Sequence, residues 1–95
     1  MNPADIQEKY VKNGRLLTIP RKEKAKLQLF RYFQEELAKQ GQEFTEKQIN
    51  DFFRTYYDDP AILRRYLVDY GFLERDAYGQ TYTIGERNGH LDEIV

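Results

Sequence analysis

The chain has 95 residues, 40% hydrophobic and 15% aromatic, which is enough for one domain with a modest core and too few for two. It contains no cysteine, so disulfides and thiolate metal or redox sites are excluded; it also has no long apolar run and no basic-plus-apolar leader, and the expectation is a cytoplasmic protein without a membrane span or signal peptide. Fifteen basic residues against sixteen acidic ones give a net charge of −1, whereas stand-alone nucleic-acid-binding domains usually carry a basic excess, so such a role would have to rest on a local patch.

In chain order, residues 1–13 read as an arm or short helix, started by Asn2-Pro3 and anchored by Ile6 and Tyr10. Asn13-Gly14 is a turn, and residues 15–19 form a short β-rich run closed by Pro20, expected to be the first strand of a sheet completed by a hairpin at the other end of the domain. A long helix is predicted over 22–40, with Leu27, Phe30, Phe33 or Gln34, and Leu37 as its core stripe. Its start carries the four cations Arg21, Lys22, Lys24 and Lys26. Cations at a helix N-terminus oppose the dipole, so this run is either a solvated charged start or a phosphate-contacting patch.

Four local signals bound the next two helices. Thr45 is an N-cap with Gln48 placed to complete a capping box, and Phe44 and Ile49 sit where a hydrophobic staple would hold the incoming chain. Ile49, Phe52, Phe53 and Tyr56 follow at helical spacing, predicting a helix over 45–56. Asp59-Pro60 then caps and starts a helix over 60–70. Residues about 100° apart put Ile62, Leu63, Tyr66, Leu67 and Tyr70 on its inner face and Ala61, Arg64, Arg65 and Val68 on its outer face. Gly71 suits a Schellman ending, with Phe72 packing back on Leu67. Two such helices joined by Tyr57-Asp58-Asp59 make a helix-turn-helix, the second being the recognition helix.

Residues 72–76 and 80–84 flank Asp76-Ala-Tyr-Gly79, with Gly79 suited to a positive φ, and form a wing in which Tyr82 and Ile84 alternate with threonines. Residues 85–95, with the only histidine, His90, read as a tail. The expected fold is therefore α+β, a winged helix-turn-helix over residues 14–84 with three principal helices and a small antiparallel sheet. Its expected core is Leu17, Ile19, Leu27, Phe30, Phe33, Leu37, Ile49, Phe52, Phe53, Leu63, Leu67, Leu73 and Tyr82.

Catalysis is not expected. The chain offers one histidine, no cysteine and no glycine-rich loop, and Asp58-Asp59 is an adjacent pair of which one member is a cap. No cofactor and no metal is implied. The candidate nucleic-acid contacts are Arg21, Lys22, Lys24, Lys26, Arg64, Arg65 and Arg75. For Arg64 and Arg65 the competing reading is an intradomain ion pair such as Arg65 with Asp69. Asp58 and Asp59 would repel phosphate at the end of the helix that approaches bases first. Tyr57 and Tyr78, on the turn and the wing tip, lie off the core spacing. The two partner classes are DNA and a regulatory protein docking on the stripe Ala61, Arg64, Arg65, Val68.

From Gly14 to Ile84 the order of motifs resembles the prokaryotic DUF2087 family. The residues that carry the resemblance are Gly14-Arg-Leu, Ile19-Pro20 with the cations after it, Phe44-Thr-Glu-Lys-Gln-Ile-Asn50, Asp59, and the run Leu63-Arg-Arg-Tyr-Leu-Val-Asp-Tyr-Gly-Phe-Leu-Glu-Arg75. The resemblance implies a winged-helix-like fold and a transcription-regulatory context, and carries no catalytic or ligand-binding residue over.

Overall fold

The computed structural model describes residues 9–78 and 80–85. Residues 1–8 of the expected arm or short helix over 1–13, the loop glycine Gly79, and residues 86–95 of the expected tail, with His90, lie outside them. Among the described residues the chain forms an α+β domain of three helices, a two-stranded hairpin and a three-stranded antiparallel sheet.

The hairpin comes first. Strand β1, Val11–Lys12, pairs antiparallel with β2, Arg15–Leu16. Asn13 and Gly14 connect them with φ of 54° and 76°, the two positive values that a tight primed turn needs and that Asn-Gly supplies at low cost. The expected strand at 15–19 is thus shorter and pairs with its own neighbour, not with the distant wing. One-residue alternation turns Val11 and Leu16 into the core and leaves Leu17 57% exposed, so Leu17 is not a core residue; Ile19 only packs against the core's edge. The hairpin closes over the end of the second helix. The Leu16 amide donates to the Tyr56 carbonyl at 2.7 Å, and the Arg15 guanidinium donates to the Arg54 carbonyl at 2.8 Å and pairs with Asp58.

Helix α1, Glu23–Ala38, buries Leu27, Leu29, Phe30, Phe33, Gln34 and Leu37. Its N-cap, Lys22, makes no side-chain capping bond, and Glu23 in the first turn accepts from the Tyr70 hydroxyl at 3.0 Å. After it comes a strand that the sequence does not announce: β3, Glu43–Thr45, which leads directly into helix α2, Glu46–Arg54. Phe44, expected as a staple, is a strand residue paired with Tyr82. The capping box is present: the Gln48 amide donates to Thr45 Oγ1 at 3.1 Å, and the Thr45 amide donates to Gln48 Oε1 at 2.8 Å. Thr45→Ala should cost about 1 kcal/mol as a lost cap. Urea melts check this, and an unchanged midpoint would show the hydroxyl has no capping role.

Ile49 and Phe53 of α2 are fully buried, whereas Phe52 is only partly covered. Helix α3, Pro60–Asp69, starts on the Asp59 cap and buries Leu63 and Leu67; Ile62, expected inside, is 37% exposed. It ends in the Schellman pattern, with Gly71 at φ 84°, the Phe72 amide donating to the Leu67 carbonyl at 2.8 Å and the Gly71 amide to the Val68 carbonyl at 3.1 Å. Strands β4, Leu73–Arg75, and β5, Thr81–Ile84, form the terminal hairpin. The sheet order is β3-β5-β4, so β5 is central and Tyr82 faces both Phe44 and Arg75. Asp76 shapes the loop between β4 and β5, its carboxylate accepting from the Gln80 amide at 2.8 Å.

Candidate functional site

The exposed side of α3 and the adjoining strand β4 carry the concentration of cations that the fold assembles. Three arginines, Arg64, Arg65 and Arg75, line one cavity of about 350 Å³ together with Val68, Asp69 and Tyr82. Residues 64 and 75 are apart in sequence; the Schellman turn at Gly71 reverses the chain and brings them to one wall.

The three arginines are held differently. Arg64, expected to point outward, lies back across α2: its Nη1 donates to Asn50 Oδ1 at 2.6 Å and sits 3.8 Å from Glu46 Oε1, leaving the side chain 19% exposed. The expectation that Arg64 points freely outward is corrected accordingly, since its Nη1 is already engaged between two helices. Glu46 also accepts from the Tyr82 hydroxyl at 3.0 Å. Burial first, and then that hydrogen bond, push the Tyr82 phenol above its ordinary pKa, while the nearby charges of Arg64 and Arg75 pull the other way. Arg65 and Arg75 are exposed, and the ion pair of the competing reading, Arg65 with Asp69, does not form. Both acids of the α2–α3 turn have local work: Asp58 is paired with Arg15 and Asp59 caps α3.

A second concavity, about 370 Å³, runs along α3 and is lined by Asp59, Ala61, Ile62, Arg65, Tyr66 and Asp69. Lys26 from α1 meets one of these residues, its Nζ lying 5.4 Å from the centroid of the Tyr66 ring. The structure therefore brings Lys26, Arg65 and Arg75 to surfaces that share α3. Arg21, Lys22 and Lys24 stay exposed at the start of α1 and make no hydrogen bond or ion pair to α3. Of the two tyrosines singled out in the sequence, Tyr57 packs against the core and Tyr78, beside the loop tip, is 86% exposed. The contact sequence reasoning missed is Asn50 with Arg64; no local pattern announces a partner fourteen residues away on another helix. No helix among the described residues is long and apolar enough to cross a membrane, and none of them form a cluster suited to a metal ion.

The architecture defines a small α+β domain whose third helix and terminal hairpin present arginines around a common cavity. Residues 15–84 match the family described as DUF2087, an uncharacterized protein conserved in bacteria, and the chain belongs to that family. No curated protein and no solved structure matches it.

Proposed function

We propose that this chain is a winged-helix, non-catalytic nucleic-acid-binding module acting in transcription regulation, as a regulator or the accessory domain of one. The observation that supports the reading is topological: α1, β3, α2, α3, β4 and β5 follow in that order with β5 between its neighbours, an order we read as a helix-turn-helix followed by a hairpin wing, with a strand inserted after the first helix. In this reading α3 approaches the groove, Arg65 and Arg75 contact backbone phosphates, and Lys26 with the exposed Arg21, Lys22 and Lys24 extends the basic surface. Arg64, tied to Asn50 by one nitrogen, braces α3 against α2 while lining the same cavity as Arg65 and Arg75. Asp69 on the same helix subtracts from the positive field, so binding is weak, backbone-dominated and strongly salt-dependent.

An NMR titration with generic duplex DNA at two salt concentrations tests this. Amides of α3 and β4 should shift, and log affinity should fall against log salt with a slope of about −0.9 for each phosphate neutralised. Charge reversal of Arg65 and Arg75 to Glu should abolish binding with little change in melting, because both side chains are exposed. Absence of shifts at low salt, or binding indifferent to the reversal, would sink the reading. The second reading, a protein-docking module, draws on the α3 concavity, where Ala61, the exposed Ile62 and Tyr66 form an apolar strip with Arg65 at its rim, a composition found at interfaces.

A further inference from the structure

We propose that the cavity between α3 and the terminal hairpin is a seat for a phosphate group. The seat needs only the cavity and stands whether or not the chain binds nucleic acid.

Three guanidinium groups from two elements converge on one concavity, and three like charges sharing a wall repel one another unless an anion lies between them. Arg64 is pre-set by its 2.6 Å bond to Asn50, so it costs little to order on binding, and only its Nη1 is used in that bond. Arg65 and Arg75 enter without a carboxylate partner. The opposing charges are Asp69 at the rim and Glu46 behind Arg64, the latter shared with the Tyr82 hydroxyl. Positive charge remains in excess. Guanidinium forks match the tetrahedral oxygens of phosphate in paired hydrogen bonds, which an ammonium cannot do, and charge-assisted bonds of this kind are the strong ones. Val68 and the buried Tyr82 complete the lining. At about 350 Å³ the cavity is larger than one oxyanion requires and leaves room for the organic group to which a phosphate is esterified.

The test is a titration of ¹⁵N-labelled protein with sodium phosphate against sodium chloride at matched ionic strength. Saturable shifts are expected at Arg64, Arg65, Val68, Arg75 and Tyr82 with phosphate alone. The double variant Arg65→Gln, Arg75→Gln should weaken binding about a hundredfold, since each of the two lost charged hydrogen bonds is worth roughly a factor of ten. Its melting temperature serves as the fold control; Arg64 is left intact because it bridges α2 and α3. Shifts spread evenly over exposed cations such as Lys24 and Lys47, or a double variant that binds phosphate like the parent, would overturn the proposal. Two further arms, ribose 5-phosphate and a short DNA duplex, identify the source of the phosphate. A duplex that displaces phosphate from the cavity residues assigns it to a nucleic-acid backbone. Tighter binding of the sugar phosphate, with cavity residues unmoved by the duplex, assigns it to a small phosphorylated ligand; that result keeps the seat and removes the nucleic-acid reading.

Discussion

Phe30→Ala is expected to remove about 3 to 5 kcal/mol of stability, the range for deleting a buried aromatic ring and leaving a cavity. Phe30 is wholly buried, and its ring centroid lies 5.3 Å from that of Tyr66, 5.5 Å from Tyr70 and 6.3 Å from Phe72. It is the peg by which α1 holds α3 and the start of the terminal hairpin. Each such aromatic pair adds about 0.5 to 1.5 kcal/mol beyond its buried area, and all three are lost together. For a domain whose total stability is of the order of 5 to 15 kcal/mol, this is a large share. The loss also reaches the candidate site, because Tyr66 and Arg65 line the same concavity. Denaturant melts should show the destabilisation, with α3 amides shifting in the spectrum of the residual folded protein. A variant within about 1 kcal/mol of the parent would mean that Phe30 is not the contact between α1 and α3. Phe30→Leu, which retains most of the volume, should cost less.

The sequence announces elements whose instructions are local. The capping box at Thr45 and Gln48, the Asp59-Pro60 start and the Gly71 ending each concern backbone groups within one turn, and all three form at their expected places. The Asn13-Gly14 turn is equally local. The error there lay in assigning a distant partner to residues 15–19, when a primed turn already pairs the strand with the residues just before it. Strand β3 was not legible because three residues cannot display an alternation, and Phe44 satisfies the staple pattern as well as it satisfies a strand. What makes residues 43–45 a strand is the free edge of β5, contributed by residues 81–84 at the far end of the chain.

The same division governs the site. That Arg64, Arg65 and Arg75 lie on α3 and β4 follows from the helix and hairpin signals. Which of them is free depends on Asn50 and Glu46 of α2, a tertiary matter that helical spacing does not encode. Residue spacing placed Arg64 outward by angle alone; a long side chain on a helix flank can turn back over a neighbour when an acceptor is there to receive it.

Gly85→Ala should destabilise the domain by about 1 to 3 kcal/mol from overpacking alone, and by more once the hydrogen bonds it disturbs are included. A β-carbon at residue 85 would stand 2.2 Å from the Gly71 carbonyl oxygen and 2.9 Å from the Phe72 carbonyl carbon. Both neighbours are backbone, held by the Schellman turn, so neither can step aside as a flexible side chain would. The strand end must move instead. That movement breaks the bond from the Gly85 amide to the Phe72 carbonyl at 2.8 Å. It also undoes the bridge made by Gln34, whose buried amide donates to the Phe72 carbonyl at 2.9 Å and the Gly85 carbonyl at 3.0 Å. Gln34 Oε1 already has no hydrogen-bond partner, so this side chain has little left to hold it if its donors lose theirs; an unpaired buried polar group costs about 1 to 3 kcal/mol. In thermal melts, each kcal/mol corresponds to about 4 to 8 °C in a domain of this size. Gly14→Ala is the informative comparison: a β-carbon there meets nothing within 4 Å and pays only for its positive φ, roughly 1 to 2 kcal/mol. Gly85→Ala should melt below it. If the two variants melt together, or Gly85→Ala melts with the parent, the close approach of residue 85 to the Gly71 turn is wrong, and with it the anchoring of the hairpin that carries Arg75.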